Sequence, residues 1–457
     1  MEELLTGYNV NQPTWLYLSM LLTIAMFFRF RRFFSLRNLD LVMLLGISPG
    51  VLMVLHAPNS VIGYSWMFAV TGLILVRTLC DSLWRRRPKL EPNMSTGGML
   101  FLAFAAFCFL MTEAVTRPAS PSTVATIAQA EQITHPGTVI ANPAEDSPTA
   151  ENSESPAGPA TSLLVAPVVT TTRQIVNRRQ GNDAFGIVEQ TAARIFAILS
   201  HIAILMGLFF IGRYEFQETQ SGVSMATLYL LLPCTAYNVS DVNQVLPAAL
   251  ILWAIAFHSR PYISAIFMGL SCGTMFFPIF LLPVWISYYS KSQLRQFLLS
   301  LGIVASVILA SAAWVSPDSS AFLEQTIGRI DVRFLSFQTA SESVGFWKNL
   351  HPAYRIPLMV GFLVLTTVLT IWPWKKSLSQ LMVSTTVIVV ATQFWYPQQG
   401  SVYVLWYIPL LLLLIFKPQS IGRRNSNAMM ADAQKRPLSS SASLRAAQPG
   451  AGNLTPQ

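Results

Sequence analysis

The sequence predicts an all-α fold, a polytopic bundle of transmembrane helices that crosses the membrane about 12 to 13 times. Two observations lead to this prediction. Hydrophobic residues make up 53% of the 457 residues and charged residues only 11%, whereas soluble domains carry about 25% charged residues. The apolar residues also gather into runs whose lengths suit the roughly 20 helical residues needed to cross a hydrocarbon core.

The apolar runs form two groups, separated by a long polar stretch. Residues 1–113 hold the N-terminal transmembrane helices, and residues 187–416 hold a larger transmembrane core. The candidate spans are residues 14–28, 39–56, 62–80, 97–113, 187–211, 222–237, 244–258, 262–274, 276–289, 296–315, 353–372, 379–396 and 402–416.

Clusters of lysine and arginine beside the spans predict the orientation, because cytoplasmic loops of membrane proteins carry an excess of these residues. The clusters lie at residues 29–37, 77–89, 213, 260, 291–295, 375–376 and 417–424. All of them reach the cytoplasm if the N-terminus is extracytoplasmic and the C-terminus cytoplasmic. Residues 262–289 must then make two short passes or a re-entrant hairpin. We therefore expect a multi-pass protein of the cell membrane.

The long polar stretch, residues 114–186, is rich in alanine, proline, serine and threonine. Such a composition buries too little apolar surface to offset the entropy lost on ordering. It predicts a disordered extracytoplasmic loop that the fold does not need, and the same reasoning predicts a disordered cytoplasmic tail at residues 417–457. Residues 316–352 mix aromatic residues with both signs of charge, which indicates a folded or interfacial outer loop lying over the bundle.

A polar turn between two apolar spans, residues 237–244, contains the leading catalytic candidate, Asp241. A carboxylate partly sheltered from water can act as a general base. Tyr237 and Asn243 are placed beside it to hydrogen-bond a hydroxylated substrate. The structural alternative is a helix N-cap, because aspartate is favoured immediately before a helix such as the span 244–258. The two roles are compatible.

Cations that could bind a phosphate group occur in the predicted outer loop, at Arg329, Arg333 and Lys348. Arginine gives phosphate two parallel hydrogen bonds. The alternative for each of these residues is an ion pair with an acid of the same loop. Glu113 and Asp183 flank the long polar stretch at the membrane surface, and they are weaker candidates for a catalytic acid.

No cofactor is predicted, although a divalent metal ion stays open. The four cysteines are dispersed along the chain without the spacing of zinc ligands or of a disulfide framework. Glycine loops for phosphate, nucleophile elbows and metal-binding histidine pairs are missing from the sequence. The net charge of +9 is explained by the clusters beside the spans, so the expected partner is membrane lipid and not nucleic acid.

Aromatic residues crowd the stretch from 394 to 407. One interpretation is the belt of aromatic side chains found where membrane meets water. The other is a set of ring faces that stack on sugars or line a groove for lipid.

Three segments resemble the GT-C type of polyprenyl-phosphate-dependent glycosyltransferases, especially the bacterial mannosyltransferase-like branch. They are the polar turn 238–244, the segment from Arg260-Pro261 to the break at 273–278, and the closing aromatic segment 395–409. The resemblance covers residues 187–416. It implies transfer of a sugar from a polyprenyl-phosphate donor at the outer face of the membrane. The family usually places a catalytic acid in its first large outer loop, whereas here residues 56–63 contain no acid.

Three functions fit the pattern. A transferase would use Asp241 to deprotonate the acceptor and cations of the outer loop to stabilise the leaving phosphate. A transporter or flippase would instead bind its cargo near the membrane midplane, in the interrupted helices of residues 261–283. A membrane scaffold that displays residues 114–186 is the third possibility. The few charges inside the spans favour the transferase, whose polar groups are expected at the outer rim.

Overall fold

The computed structural model describes residues 12–57, 60–83, 90–134, 158–180, 185–289, 293–315, 345–347, 350–374, 376–396 and 400–418. Within these ranges the chain is helical and contains no strand. The α-helices are α1 Gln12–Phe27, α2 Leu36–His56, α3 Val61–Leu79, α4 Thr96–Thr116, α5 Pro121–Thr134, α6 Pro159–Gln180, α7 Phe185–Phe210, α8 Thr219–Leu231, α9 Pro233–Tyr237, α10 Val242–Ala256, α11 Pro261–Thr274, α12 Leu282–Tyr289, α13 Leu294–Val315, α14 Arg355–Ile371, α15 Leu378–Trp395 and α16 Ile408–Phe416.

The helical bundle that the sequence predicts is confirmed, and every predicted span falls on a helix or on two consecutive ones. Six helices of the described chain are long and apolar enough to cross a membrane, and three shorter apolar helices accompany them. The protein is therefore a multi-pass membrane protein. The six are Leu36–His56, Val61–Leu79, Thr96–Thr116, Ile187–Glu215, Leu294–Trp314 and Leu378–Trp395.

Serine caps begin several of these helices. The side chain of Ser35 accepts a hydrogen bond from the backbone N–H of Asn38, and Ser60 does the same for Gly63. Ser377 forms a reciprocal capping box with Gln380. Each cap satisfies a backbone donor that has no partner inside its own helix, and it typically contributes about 1 kcal/mol.

The helices run between two ends of the bundle, which we name the Tyr237 end and the Lys417 end. At the Tyr237 end, the Tyr237 hydroxyl donates to the carbonyl oxygen of Gln12, where α1 begins. Arg117, just after α4, donates to the carbonyl oxygen of Tyr237. At the Lys417 end, the ammonium group of Lys417 lies 3.0 Å from a carboxylate oxygen of Asp81, just after α3.

The segment 262–289 turns back on itself, as the sequence predicts. Helix α11 ends at Thr274, and Met275 is extended. A 3₁₀ turn at Phe277–Leu281 then leads into α12. The hydroxyl of Tyr289, the last residue of α12, donates to the carbonyl oxygen of His258, just before α11 begins. The chain thus returns to the end of the bundle that it left.

The prediction of a disordered loop at 114–186 is wrong for residues 121–134 and 159–180, which form α5 and α6. Residues 135–157 and 181–184 lie outside the described residues. The two helices pack together and against α7, and Arg173 of α6 pairs with Glu131 of α5 at 3.0 Å. They share one apolar core with α7 and α10, formed by Ile127, Ala130, Val165, Ala166, Val169, Ala192, Ala193, Phe196, Ala197, Val242, Leu246 and Leu250.

The physical reason lies in side-chain size. Most members of this core are alanine or valine, so a composition that looks too polar and too small for a core still lets helices approach closely. Small residues at helical contacts are typical of membrane bundles. Residues 121–134 and 159–180 therefore belong to the bundle. The predicted tail beyond residue 418 lies outside the described residues.

Candidate functional site

The polar turn around Asp241 is buried. Asp241 is 7% exposed and stands at the N-cap position of α10, but its side chain makes no capping hydrogen bond. One carboxylate oxygen instead accepts a 2.7 Å hydrogen bond from the side-chain amide of Gln244. The structural interpretation of Asp241 is therefore correct about its position and not about its bond.

Several buried polar atoms within this turn make no hydrogen bond to the described residues. Both amide atoms of Asn243, the amide oxygen of Gln244 and the amide nitrogen of Asn238 are buried, and they have no hydrogen-bond partner among the described residues. Buried polar atoms are nearly always paired in proteins, with protein or with ordered water. The turn therefore has donors and acceptors that can bind water or a hydroxylated ligand.

A cavity opens beside this turn at the Tyr237 end, and we name it the Tyr237 cavity. Its enclosed space is about 10 Å³, enough for about one water molecule. One wall is aromatic, because Trp15 and Phe109 stack with ring centroids 4.3 Å apart. The indole N–H of Trp15 is buried and has no acceptor among the described residues. The lining residues are Gln12, Trp15, Phe109, Glu113, Arg117, Ala236 and Tyr237.

Another part of the lining of the Tyr237 cavity is charged. An oxygen of Glu113 lies 2.5 Å from Arg117 Nη2, at i,i+4 spacing where α4 ends. Arg117 Nη1 donates to the carbonyl oxygens of Ala236 and Tyr237, at 3.2 and 3.1 Å. Arg117 thereby joins the end of α4 to the short helix α9. An acid, a guanidinium and a phenol thus border one cavity.

The cavity unites two of the predicted site residues, Glu113 and Tyr237. Asp241 and Asn243 follow Tyr237 closely in the chain, but neither belongs to the described lining. Four other predicted residues lie outside the described residues, namely Asp183, Arg329, Arg333 and Lys348.

Arg117 is the residue that sequence reasoning missed. It follows a predicted span and belongs to no cluster of basic residues, so the orientation argument did not use it. The sequence feature that could have identified Arg117 is its spacing of four residues from Glu113, which brings an acid and a base together on one helix face. Its contact with Tyr237 spans 120 positions, and no local pattern indicates it.

The aromatic residues near the C-terminal end of α15 face inward and do not form an interfacial belt. Trp395, Tyr396 and Trp406 are all buried. Trp406 stacks on Phe277 at 4.4 Å and on Tyr403 at 4.5 Å. These rings fill the space beside the break that follows α11. The midplane region predicted for a transporter site is thus packed with aromatic side chains in the described part of the chain.

The buried side chain of His201 has a structural role. Its ring is fully buried in α7, with Nδ1 3.0 Å from the Tyr229 hydroxyl and Nε2 3.1 Å from the Val239 carbonyl oxygen. Both ring nitrogens have partners, so the imidazole ties α7 to α8 and to the polar turn.

A second charged cluster lies at the Lys417 end. Two nitrogens of Arg77 bond the two carboxylate oxygens of Asp40, at 2.6 and 2.8 Å. Arg77 also lies 3.5 Å from Asp81, whose other oxygen bonds Lys417. The two carboxylates and the two cations of this cluster carry equal and opposite charge, and their side chains are nearly buried. This cluster joins α2 and α3 to the end of α16.

The part of the chain that the structure describes contains no group of three histidine, cysteine or acidic residues that could hold a metal ion. The prediction of no cofactor stays a prediction. No protein-family model matches the chain, and no curated protein matches it. The resemblance to polyprenyl-phosphate-dependent glycosyltransferases therefore rests on the sequence segments alone.

Proposed function

We propose that this multi-pass membrane protein transfers a sugar from a polyprenyl-phosphate donor to an acceptor hydroxyl at the Tyr237 end of the bundle, beside the Tyr237 cavity. The observation that carries the proposal is the Glu113–Arg117 ion pair, which borders one cavity together with Tyr237. An anion binder and a proton acceptor side by side are what such a transfer needs. The resemblance of three sequence segments in residues 187–416 to GT-C glycosyltransferases also supports sugar transfer.

Arg117 is the group suited to the donor phosphate. Its guanidinium is planar and can give phosphate two parallel hydrogen bonds. The partners it holds in the structure are one carboxylate and two carbonyl oxygens. A phosphate that approaches Arg117 from the mouth of the cavity would compete for the same N–H groups. Its binding would free the Glu113 carboxylate from the ion pair.

The transfer is a single displacement at the anomeric carbon of the sugar. Glu113 accepts the proton of the acceptor hydroxyl, and the acceptor oxygen forms a bond to the anomeric carbon of the sugar. The bond from that carbon to the phosphate oxygen breaks, and polyprenyl phosphate leaves with the electron pair. Arg117 stabilises the negative charge that collects on the leaving phosphate. Tyr237 is placed to hydrogen-bond the sugar or the acceptor. Attack opposite the leaving group inverts the anomeric configuration.

Glu113 is better placed than Asp241 to act as the base. Glu113 lines the cavity and stands beside the cation, whereas Asp241 is buried in its turn and accepts a bond from Gln244. Asp241 and the amides of Asn243 and Gln244 would then position the wall of the cavity that α9 forms.

We place the Tyr237 cavity at the extracytoplasmic face, with the N-terminus outside and the C-terminus in the cytoplasm. The support is the excess of cations at the Lys417 end. Lysines and arginines of the described chain at that end are Arg29, Arg31, Arg32, Arg37, Arg77, Arg213, Arg260, Arg295, Lys376 and Lys417. Those at the Tyr237 end are Arg117, Arg173, Arg178, Arg179, Arg194 and Arg355, six against ten.

The test uses the full chain in proteoliposomes with a set of radiolabelled polyprenyl-phosphate sugars and a bacterial membrane extract as acceptor. Wild-type protein should transfer label. Glu113→Gln should reduce the rate by about 10²- to 10⁴-fold, the usual contribution of a general base, and Arg117→Gln should abolish transfer. Glu91→Gln and Arg295→Gln are the matched controls at the Lys417 end, and they should keep the wild-type rate.

Three outcomes count against the proposal. No transfer by the wild type with any donor rejects sugar transfer, and movement of the intact donor across the bilayer would point to a flippase. Full activity of Glu113→Gln removes this residue from the mechanism. Loss of activity in Asp241→Asn with full activity in Glu113→Gln would return the base to Asp241.

A further inference from the structure

The turn between α1 and α2, residues 29–34, presents arginine and phenylalanine side chains at the Lys417 end. Its sequence is Arg-Phe-Arg-Arg-Phe-Phe, and all six side chains are exposed. Phe28, the residue before Arg29, is buried. Phe34 is 100% exposed, Phe30 72% and Phe33 63%. We name residues 29–34 the basic aromatic turn.

A buried asparagine fixes the backbone of this turn. Asn38 is 2% exposed, and its amide nitrogen donates to the carbonyl oxygens of Arg29, Arg32 and Phe33, at 3.0 to 3.1 Å. Its amide oxygen accepts from the backbone N–H of Arg29 at 3.1 Å. Because the backbone is satisfied from inside the bundle, the side chains of the turn are directed outward.

The phenylalanines form an ordered patch. Buried Phe28 packs edge to face against Phe30 and Phe33, with ring centroids 5.0 and 5.4 Å apart. Phe33 packs on Phe34 in the same way at 5.3 Å. An exposed patch of this kind marks an interaction site. At the end of a transmembrane helix, its partner is the boundary between acyl chains and headgroups.

The arginines of the turn are available for an anion. Arg31 and Arg32 have no ion pair among the described residues. Arg29 lies 3.6 Å from Glu91, and both side chains are more than half exposed, so water screens this pair and leaves it weak. Arg37 is different, because it is buried and donates to the carbonyl oxygens of Phe27 and Glu91.

We propose that the basic aromatic turn binds the headgroups of anionic phospholipids in the leaflet around the Lys417 end. The phenylalanine rings enter the boundary of that leaflet, while Arg31 and Arg32 hydrogen-bond lipid phosphate. Asn38 holds the turn in the shape that presents both. The proposal needs only the membrane location of the protein, and it is independent of sugar transfer.

The experiment measures which lipids stay with the full chain. Protein is reconstituted in nanodiscs of equal phosphatidylglycerol and phosphatidylcholine, extracted gently, and the retained lipid is identified by mass spectrometry. Wild-type protein should retain phosphatidylglycerol in excess, and less of it at high salt. The variant Arg31→Gln/Arg32→Gln should lose roughly five-fold of this preference per arginine, which is the factor that corresponds to about 1 kcal/mol for each cation near an anionic surface.

Two comparisons make the result specific. Arg260→Gln/Arg295→Gln removes two exposed cations from the same end outside the turn, and it should keep the preference. Phe30→Ser/Phe34→Ser keeps every charge and should weaken retention of both lipids. Equal retention in wild type and in Arg31→Gln/Arg32→Gln overturns the proposal. An equal loss in the Arg260→Gln/Arg295→Gln control overturns it too, because it would show a diffuse effect of net charge.

Discussion

Gly158 lies so close to Thr274 that its backbone N–H donates a 2.7 Å hydrogen bond to the Thr274 carbonyl oxygen. That carbonyl lies at the C-terminal end of α11, and where water is excluded an unsatisfied backbone group costs several kcal/mol. Gly158 opens α6, so the helical hairpin of α5 and α6 provides the donor. The stretch that looked dispensable in the sequence thus completes an interrupted helix.

The first prediction concerns this contact. A Cβ atom on Gly158 would lie 2.2 Å from the carbonyl oxygen of Gly273, and backbone cannot move aside as a flexible side chain does. Gly158→Ala should therefore destabilise the protein by about 1–3 kcal/mol, the usual cost of overpacking. Thermal unfolding of the detergent-solubilised protein measures it. Gly302→Ala is the control, because nothing lies within 4 Å of its added methyl group, and it should be neutral or stabilising.

A Gly158→Ala protein as stable as the wild type would show that α6 does not rest on the break. The same comparison tests the packing of the whole α5–α6 hairpin, since this contact lies at its attachment to α11.

The second prediction concerns the charged cluster of Asp40, Arg77, Asp81 and Lys417. Arg77→Met removes the cation that bonds both oxygens of Asp40, and it leaves two nearly buried carboxylates with less positive charge. Breaking a buried pair from one side typically costs about 3–5 kcal/mol. Chemical or thermal unfolding should show a loss of this size. Asp40→Asn combined with Arg77→Met should recover part of it, because the excess negative charge falls.

Arg295→Met serves as the control for that series, since Arg295 is exposed near the same end. If Arg77→Met is no worse than Arg295→Met, then water screens the cluster and it adds little to stability.

The third prediction concerns Trp406, which is fully buried between Tyr403 and Phe277. Trp406→Ala should cost about 3–5 kcal/mol, as for other buried aromatic residues. Trp406→Phe keeps an aromatic ring in the stack and removes an indole N–H that has no acceptor among the described residues. Its unfolding temperature should stay much closer to that of the wild type. Equal losses in the two variants would show that the indole N–H has a partner, such as ordered water.

The fourth prediction concerns topology. Single cysteines at Tyr354 and Phe34, in a background with the four native cysteines replaced, report the two ends of the bundle. Both positions are exposed, at 65% and 100%. An impermeant maleimide applied to intact cells should label Tyr354→Cys and not Phe34→Cys, since the cation-rich end is expected in the cytoplasm. Labelling in the reverse pattern would invert the orientation and move the Tyr237 cavity to the cytoplasmic face.

The sequence indicates the helices of this protein better than it indicates their contacts. Apolar runs depend only on neighbouring residues, so the spans and the reversal at 262–289 could be read directly. Helices α5 and α6 were missed because their core contacts use alanine and valine, whose contribution depends on how closely another helix approaches. Ala193 and Val165 pack against residues of other helices, and amino-acid composition does not indicate which helices contact one another.

The candidate site was predictable to the same extent. Glu113 and Tyr237 stand out as polar residues at the ends of apolar runs. Their meeting in one cavity depends on Arg117, which reaches carbonyl oxygens 119 and 120 positions away. For Asp241, the sequence predicts the position of the residue but not the contacts of its side chain. Its N-cap position follows from the sequence, but the direction of its carboxylate towards Gln244 depends on burial by neighbouring helices.

The bond between Asp81 and Lys417 joins positions 336 residues apart, and this has a consequence for biosynthesis. Arg77 can meet Asp40 and Asp81 as soon as α2 and α3 have been inserted, whereas Lys417 reaches Asp81 only after the ribosome has made almost all of the described chain. During translation the N-terminal helices therefore hold an incomplete set of charges in the bilayer. The charged cluster at the Lys417 end is complete only after α16 has been made, so its assembly follows synthesis of nearly the whole described chain.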